Sequence, residues 1–97
     1  MRHPTAARNE IGPLLDRLIH QLDAEGSATQ RAYFARIRRS LDTARQDLDV
    51  ATSIRELTST SAVGFRFSSD ADILIARILK KAEELAHDLQ GDDQPRH

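Results

Sequence analysis

Between Thr29 and Leu57 the apolar residues Phe34, Ile37, Leu41, Ala44, Leu48 and Ala51 recur with alternating steps of three and four, and neither glycine nor proline interrupts them. That is the heptad spacing of a helical seam, in which successive side chains fall on one face. A helix with such a seam must bury it against other helices. The spacing therefore predicts an all-α protein: an antiparallel three-helix bundle with a long central helix. Unbroken, a helix over 29–57 would be about 45 Å long at 1.5 Å per residue, roughly twice the length of the helix before it. The shorter helix cannot cover it, so a homodimer through the uncovered part is expected.

The flanking helices follow from the same periodicity. Ile11, Leu14, Leu15, Leu18, Ile19 and Leu22 mark a face over 10–24, with Asn9 as a cap and Pro13 in the first turn, where a missing N–H costs little. Gly26 ends this helix, and Ser27 with Gln30 has the form of a capping box for the next. Leu74, Ile75, Ile78, Leu79, Ala82, Leu85, Ala86 and Leu89 mark a third helix over 70–90. Ser69 is its expected cap, Asp70 and Asp72 sit in its first turn, and Gly91 stops it. The connection over 58–69 holds a Ser/Thr run, Thr58-Ser59-Thr60-Ser61, followed by Gly64-Phe65-Arg66-Phe67. Val63, Phe65 and Phe67 alternate with the period of an extended strand, although no partner strand is visible. Residues 1–9 read as a flexible tail and 91–97 as a disordered one; no internal repeat is present.

Composition excludes several kinds of chemistry. With no cysteine there is no disulfide framework, thiolate nucleophile or zinc ribbon. No stretch approaches the ~18 apolar residues of a membrane span, and the start lacks an apolar signal core, so a cytoplasmic protein is expected. The formal charge of −1 provides no global attraction to nucleic acid. Lys80 and Lys81 are the only lysines, and the excess of arginine, with many Ala and Asp, hints at a GC-rich bacterial genome.

The expected central helix carries Arg31, Arg36, Arg38 and Arg39 in its first half and Asp47, Asp49 and Glu56 in its second. This order opposes the helix dipole and implies partners elsewhere. An antiparallel third helix would bring Glu83, Glu84 and Asp88 to the arginines and Lys80 and Lys81 towards Asp47, while Asp16 would reach Arg36 and Arg38. Two central helices crossing antiparallel would satisfy the same charges.

Candidate sites are few. Glu84-Leu85-Ala86-His87 has the Glu-x-x-His spacing of di-iron bundles, and His20 stands between Asp16 and Asp23. Both read more simply as solvated helix faces, so neither a metal nor a cofactor is expected. The Ser/Thr run could take a phosphate at a helix start, but Asp70 and Asp72 oppose it. Arg31, Arg36, Arg38 and Arg39 are the candidate nucleic-acid contacts. Val50, Ile54 and Leu57 point away from the seam, and with Phe65 and Phe67 they form the candidate protein interface. The expected function is a non-enzymatic protein–protein interaction module of the regulatory, adaptor or inhibitor kind. A nucleic-acid-binding regulator is the alternative, and a small bundle enzyme or metal-binding protein the third reading.

Overall fold

The computed structural model describes residues 3–93. The chain forms α1 (His3–Glu10), α2 (Gly12–Ala24), α3 (Ala28–Thr43), α4 (Asp47–Thr58), the single turn α5 (Thr60–Val63) and α6 (Ser69–Asp93). Among the described residues it is all-α, without strands. The helix expected over 29–57 is broken, and this changes the architecture. At Ala44-Arg45-Gln46 the backbone becomes extended, and α4 returns antiparallel along α3. Its far end is tied to the start of α3: the Tyr33 hydroxyl donates to the Glu56 carbonyl at 3.1 Å, and Arg36 meets the Glu56 carboxylate at 3.0 Å.

Capping groups make this reversal without glycine or proline. The Asp49 carboxylate accepts from the backbone N–H of Arg45 at 3.0 Å and of Gln46 at 3.2 Å. Asp47 and Asp49 also place negative charge in the first turn of α4, where the dipole favours it. On the other side, Arg8 donates to the carbonyls of Ala44 at 3.0 Å and Leu41 at 3.5 Å, satisfying acceptors that the end of α3 leaves open. The break shifts the apolar phase. Leu41 is 0% exposed, but Leu48, on the continued seam and expected in the core, is 70% exposed. Val50, Ile54 and Leu57 take over at 0%, 5% and 0% exposure.

Four helices thus replace the expected three. The Ser68 hydroxyl donates to Glu25 at 2.6 Å, placing the start of α6 at the α2–α3 turn, and Lys81 lies 3.9 Å from Glu10 at the end of α1, just before α2. Helices α2, α3, α4 and α6 alternate in direction. Each packs on its two neighbours, α2 on α3 and α6, and α4 on α3 and α6, while the backbones stay apart across the diagonals. This is an up-down-up-down four-helix arrangement, elongated to 50 × 22 × 18 Å. Because α4 covers the face of α3 that was to be left open, the reason for a homodimer through that face disappears.

The expected tail over 1–9 is largely helical. Pro4 and Ala7 of α1 are buried, and the segment packs against α2, α3, α4 and α6. At ~1.5 Å per residue α6 is far longer than α2, and its overhang needs a cover; α1 supplies part of it. Only Ile11 separates α1 from α2, with the bonds Ile11 N–H to Ala7 and Leu15 N–H to Ile11, both 2.9 Å, carrying the helical ladder across. Pro13 cannot donate, which accounts for the interruption just before it.

Several local expectations change as well. Gly26 turns the chain between α2 and α3 with φ 73, a region costly for residues with a Cβ. Ser27 makes no side-chain cap bond; Gln30 instead donates to the Arg66 carbonyl at 3.3 Å. Asn9 lies inside α1 and is no cap. Ser68, one residue before the expected cap, accepts from the Ala71 N–H at 3.1 Å. Gly91 does not stop α6, which runs to Asp93, and the remainder of the expected tail lies outside the described residues.

Candidate functional site

The chain's aromatic residues, one tyrosine and three phenylalanines, gather at one end of the bundle. Tyr33 and Phe34 on α3 meet Phe65 and Phe67 of the connection in a closed ring of contacts: Tyr33–Phe34 at 5.1 Å, Tyr33–Phe65 at 5.3 Å, Phe65–Phe67 at 5.9 Å and Phe34–Phe67 at 6.0 Å between centroids. Three of the four pairs are edge-to-face, the arrangement that the ring quadrupoles favour. Phe34 is buried beneath, while Phe65 and Phe67 remain half-buried. No strand is needed to explain their alternation. Val63 belongs to the turn α5, and the irregular segment after Gly64 lays both rings over the end of the bundle.

Val50, Ile54 and Leu57 are therefore not part of a surface with Phe65 and Phe67. All three belong to the core, because α4 turns that side inward once it has folded back. Of the five candidate interface residues, only the two phenylalanines reach solvent.

The arginines are mostly committed to partners within the chain. Arg31 lies 3.5 Å from Asp23, and Arg36 pairs with Glu56 and stands 5.5 Å above the Tyr33 ring. Arg38 pairs with Asp16 at 2.9 Å and also with Asp42. Its hydrogen bond to Asp16 raises its pKa further above an already high value. Gly12 leaves room for this approach: a Cβ there would lie 3.2 Å from the Arg38 guanidinium carbon, which would have to give by a few tenths of an ångström. The expected Asp16–Arg38 pair is thus formed, whereas Arg36 chooses Glu56. Arg39 is exposed, with no ion-pair partner among the described residues. The charges of α6 do not meet the arginines as expected, since α6 packs on α2 and α4 and stays clear of α3. Lys81 goes to Glu10 at 3.9 Å and Glu84 at 3.6 Å, away from Asp47, which instead holds His3 at 3.1 Å.

His20 and His87 are both exposed. Among the described residues no cluster of three or more potential ligands could hold a metal ion, and no helix is long and apolar enough to cross a membrane. At the turn end, Ser68 and Gln21 both donate to one oxygen of Glu25, at 2.6 and 2.7 Å. The bond from Ser68, followed by that from Gln21, lowers the carboxyl pKa below its ordinary value.

Two of the concave surfaces among the described residues place apolar walls beside charged groups that have no ion-pair partner there. A groove of about 420 Å³ runs between the α1–α2 joint and α6, with Glu10, Pro13 and Leu14 on one side and Arg77, Lys80, Lys81 and Glu84 on the other. Arg77 and Lys80 are exposed and have no ion-pair partner among the described residues. A crevice of about 250 Å³ lies between the aromatic connection and α6, lined by Thr60, Phe65, Phe67, Asp72, Ile75 and Leu79. Sequence spacing could not locate the groove, since α6 had first to be placed beside α2. The crevice did leave a trace: the phenylalanines concentrated in an otherwise small and polar connection. No protein-family model, curated protein or solved structure matches the chain.

Proposed function

We propose that the chain is a non-catalytic helical interaction module, of the regulatory, adaptor or inhibitor kind and acting in the cytoplasm, that docks a protein partner in the groove between α2 and α6. One observation carries this: Arg77 and Lys80 stand beside the apolar Pro13 and Leu14 without a counter-ion among the described residues. Arg31, Arg36, Arg38 and Lys81 each face a carboxylate; of the cations left without one among the described residues, Arg77 and Lys80 are the pair that stand side by side on an apolar concave wall. Glu10 and Glu84 on the same groove are drawn to Lys81, and the exposed Arg77 and Lys80 beside the apolar wall suit a segment that presents an apolar side chain flanked by Asp or Glu, because complementary charge sets orientation and encounter rate while burial holds the complex.

The test is parallel capture from an extract of the source cell with the wild-type chain and the double variant Arg77→Glu, Lys80→Glu. Both residues are exposed, so the melting temperature should stay within a few degrees. A protein retained by the wild type and released by the variant supports the proposal. Equal retention by both would sink it. Retention of nucleic acid, with affinity falling steeply as salt rises, would favour the regulator that reads phosphate.

A further inference from the structure

We infer that the crevice between the aromatic connection and α6 is a binding site for a compact apolar ligand carrying a cationic nitrogen, the chemistry of an arylalkyl primary amine. This site is separate from the α2–α6 groove and does not depend on it. Its walls are preorganised. Phe65 and Phe67 meet at 5.9 Å and are held from behind by Tyr33 and Phe34, while Gln30 fixes the connection through the Arg66 carbonyl at 3.3 Å. Ligand entry therefore need not order a loose loop, which would otherwise weaken binding. The floor is Ile75 and Leu79, four residues apart on α6 and so on one face.

The volume sets the size of the ligand. A cavity of ~150 Å³ lined by aliphatic and aromatic side chains holds benzene. At about 250 Å³ the crevice has room for one ring and a short chain, below the range of drug-sized pockets.

The polar groups set the charge. Asp72 is exposed, lines the crevice and has no ion-pair partner among the described residues. Aromatic faces attract cations and repel anions. Arg66, exposed on the connection, is the nearest cation in sequence to the phenylalanines, but it does not line the crevice. Inside, Thr60 is buried and its hydroxyl reaches the Glu56 carbonyl only at 3.5 Å, the outer limit of a hydrogen bond. It can turn to a ligand at little cost.

The experiment is an amide chemical-shift titration of the full chain with 2-phenylethylamine, 2-phenylethanol and 3-phenylpropionate. These probes share a ring and chain but differ in charge. The amine should shift the amides of the connection and of α6 around Ile75, the alcohol should bind there more weakly, and the carboxylate should not bind. Asp72→Asn should bring the amine down to the level of the alcohol, a loss of roughly two- to fivefold for an exposed charge pair, and leave the alcohol unchanged. Leu79→Phe fills the crevice and should remove both. If none of the probes shifts these amides, the inference fails. It fails equally if the carboxylate binds as well as the amine, or if binding persists in Leu79→Phe with the spectrum otherwise intact.

Discussion

The two ends of the bundle reverse the chain by different physical means. At the α3–α4 end, three residues suffice and the groups that hold them are polar: Asp49 caps the N–H groups of Arg45 and Gln46, Arg8 caps the carbonyls of Leu41 and Ala44, and His3 meets Asp47. At the other end, the connection from α4 to α6 is longer and is held by burial and ring contacts among Tyr33, Phe34, Phe65 and Phe67. A tight reversal exposes helix ends and must satisfy their backbone groups. A longer connection has to offset the entropy of ordering its residues, and large side chains do so efficiently. The polar end is accordingly specified by individual hydrogen bonds, and the aromatic end by packed area, with bonds from Gln30, Tyr33 and Ser68 around it.

Substitutions can set the two ends against each other. The largest effect is expected just beneath the polar end. Leu41→Asp places an unpaired charge at a fully buried position and should unfold the domain, whereas Leu48→Asp, beyond the reversal and 70% exposed, should change stability by less than about 0.5 kcal/mol. Equal melting temperatures for the two variants would mean that the break at residues 44–46 is wrong. At the aromatic end, Phe34→Ala should cost about 3–5 kcal/mol by removing the ring that Tyr33 and Phe67 rest on. A cost below about 1 kcal/mol in a denaturant titration would show that the cluster is loosely packed.

Arg8→Ala should cost about 2 kcal/mol, in the range of hydrogen bonds made by charged groups. Hydrogen exchange should report its effect at the α3–α4 reversal and leave the amides of the connection protected. Uniform loss of protection would erase the distinction between the ends. The smallest effect belongs to Glu25, which is exposed. Its folded pKa lies below the ordinary value of 4.5, so its contribution is fully present above that value and is lost as pH falls through the lowered one. The stability difference between wild type and Glu25→Gln should therefore shrink in acid below pH 4.5; a difference that grows there would reverse the assignment.

Much of the helical content was legible because it depends on local periodicity. The faces of α2 and α6 are drawn by Ile, Leu and Ala at steps of three and four, and Gly26 marks the turn between α2 and α3. The segment α1 was missed because its buried residues are Pro4 and Ala7, too small to stand out, although both continue the line through Ile11, Leu15, Leu18 and Leu22 with the same steps. The reversal at Ala44 was partly visible: Val50, Ile54 and Leu57 change phase, and Gln46 with Asp49 forms a capping pattern. Without glycine or proline there, the change of phase reads equally well as a bend further along.

The candidate site was less legible than the fold. Phe65 and Phe67 stood out, but their neighbours Ile75, Leu79 and Asp72 are twenty positions or fewer away on a helix whose placement no spacing reveals. The same holds for Arg77 and Lys80 beside Pro13 and Leu14. By itself the sequence determined the fold class, the apolar faces of α2 and α6 and the helix ends near Ala24, Ala28, Thr58 and Ser69, since these follow from side-chain periodicity and backbone preferences within a few turns. Only the tertiary structure decided that α4 folds back, that α6 lies between α2 and α4, and which charges and rings share a surface. Those outcomes depend on contacts between residues far apart in the chain, where several antiparallel arrangements bury the same apolar faces and differ only in how well the ends, caps and charges are satisfied.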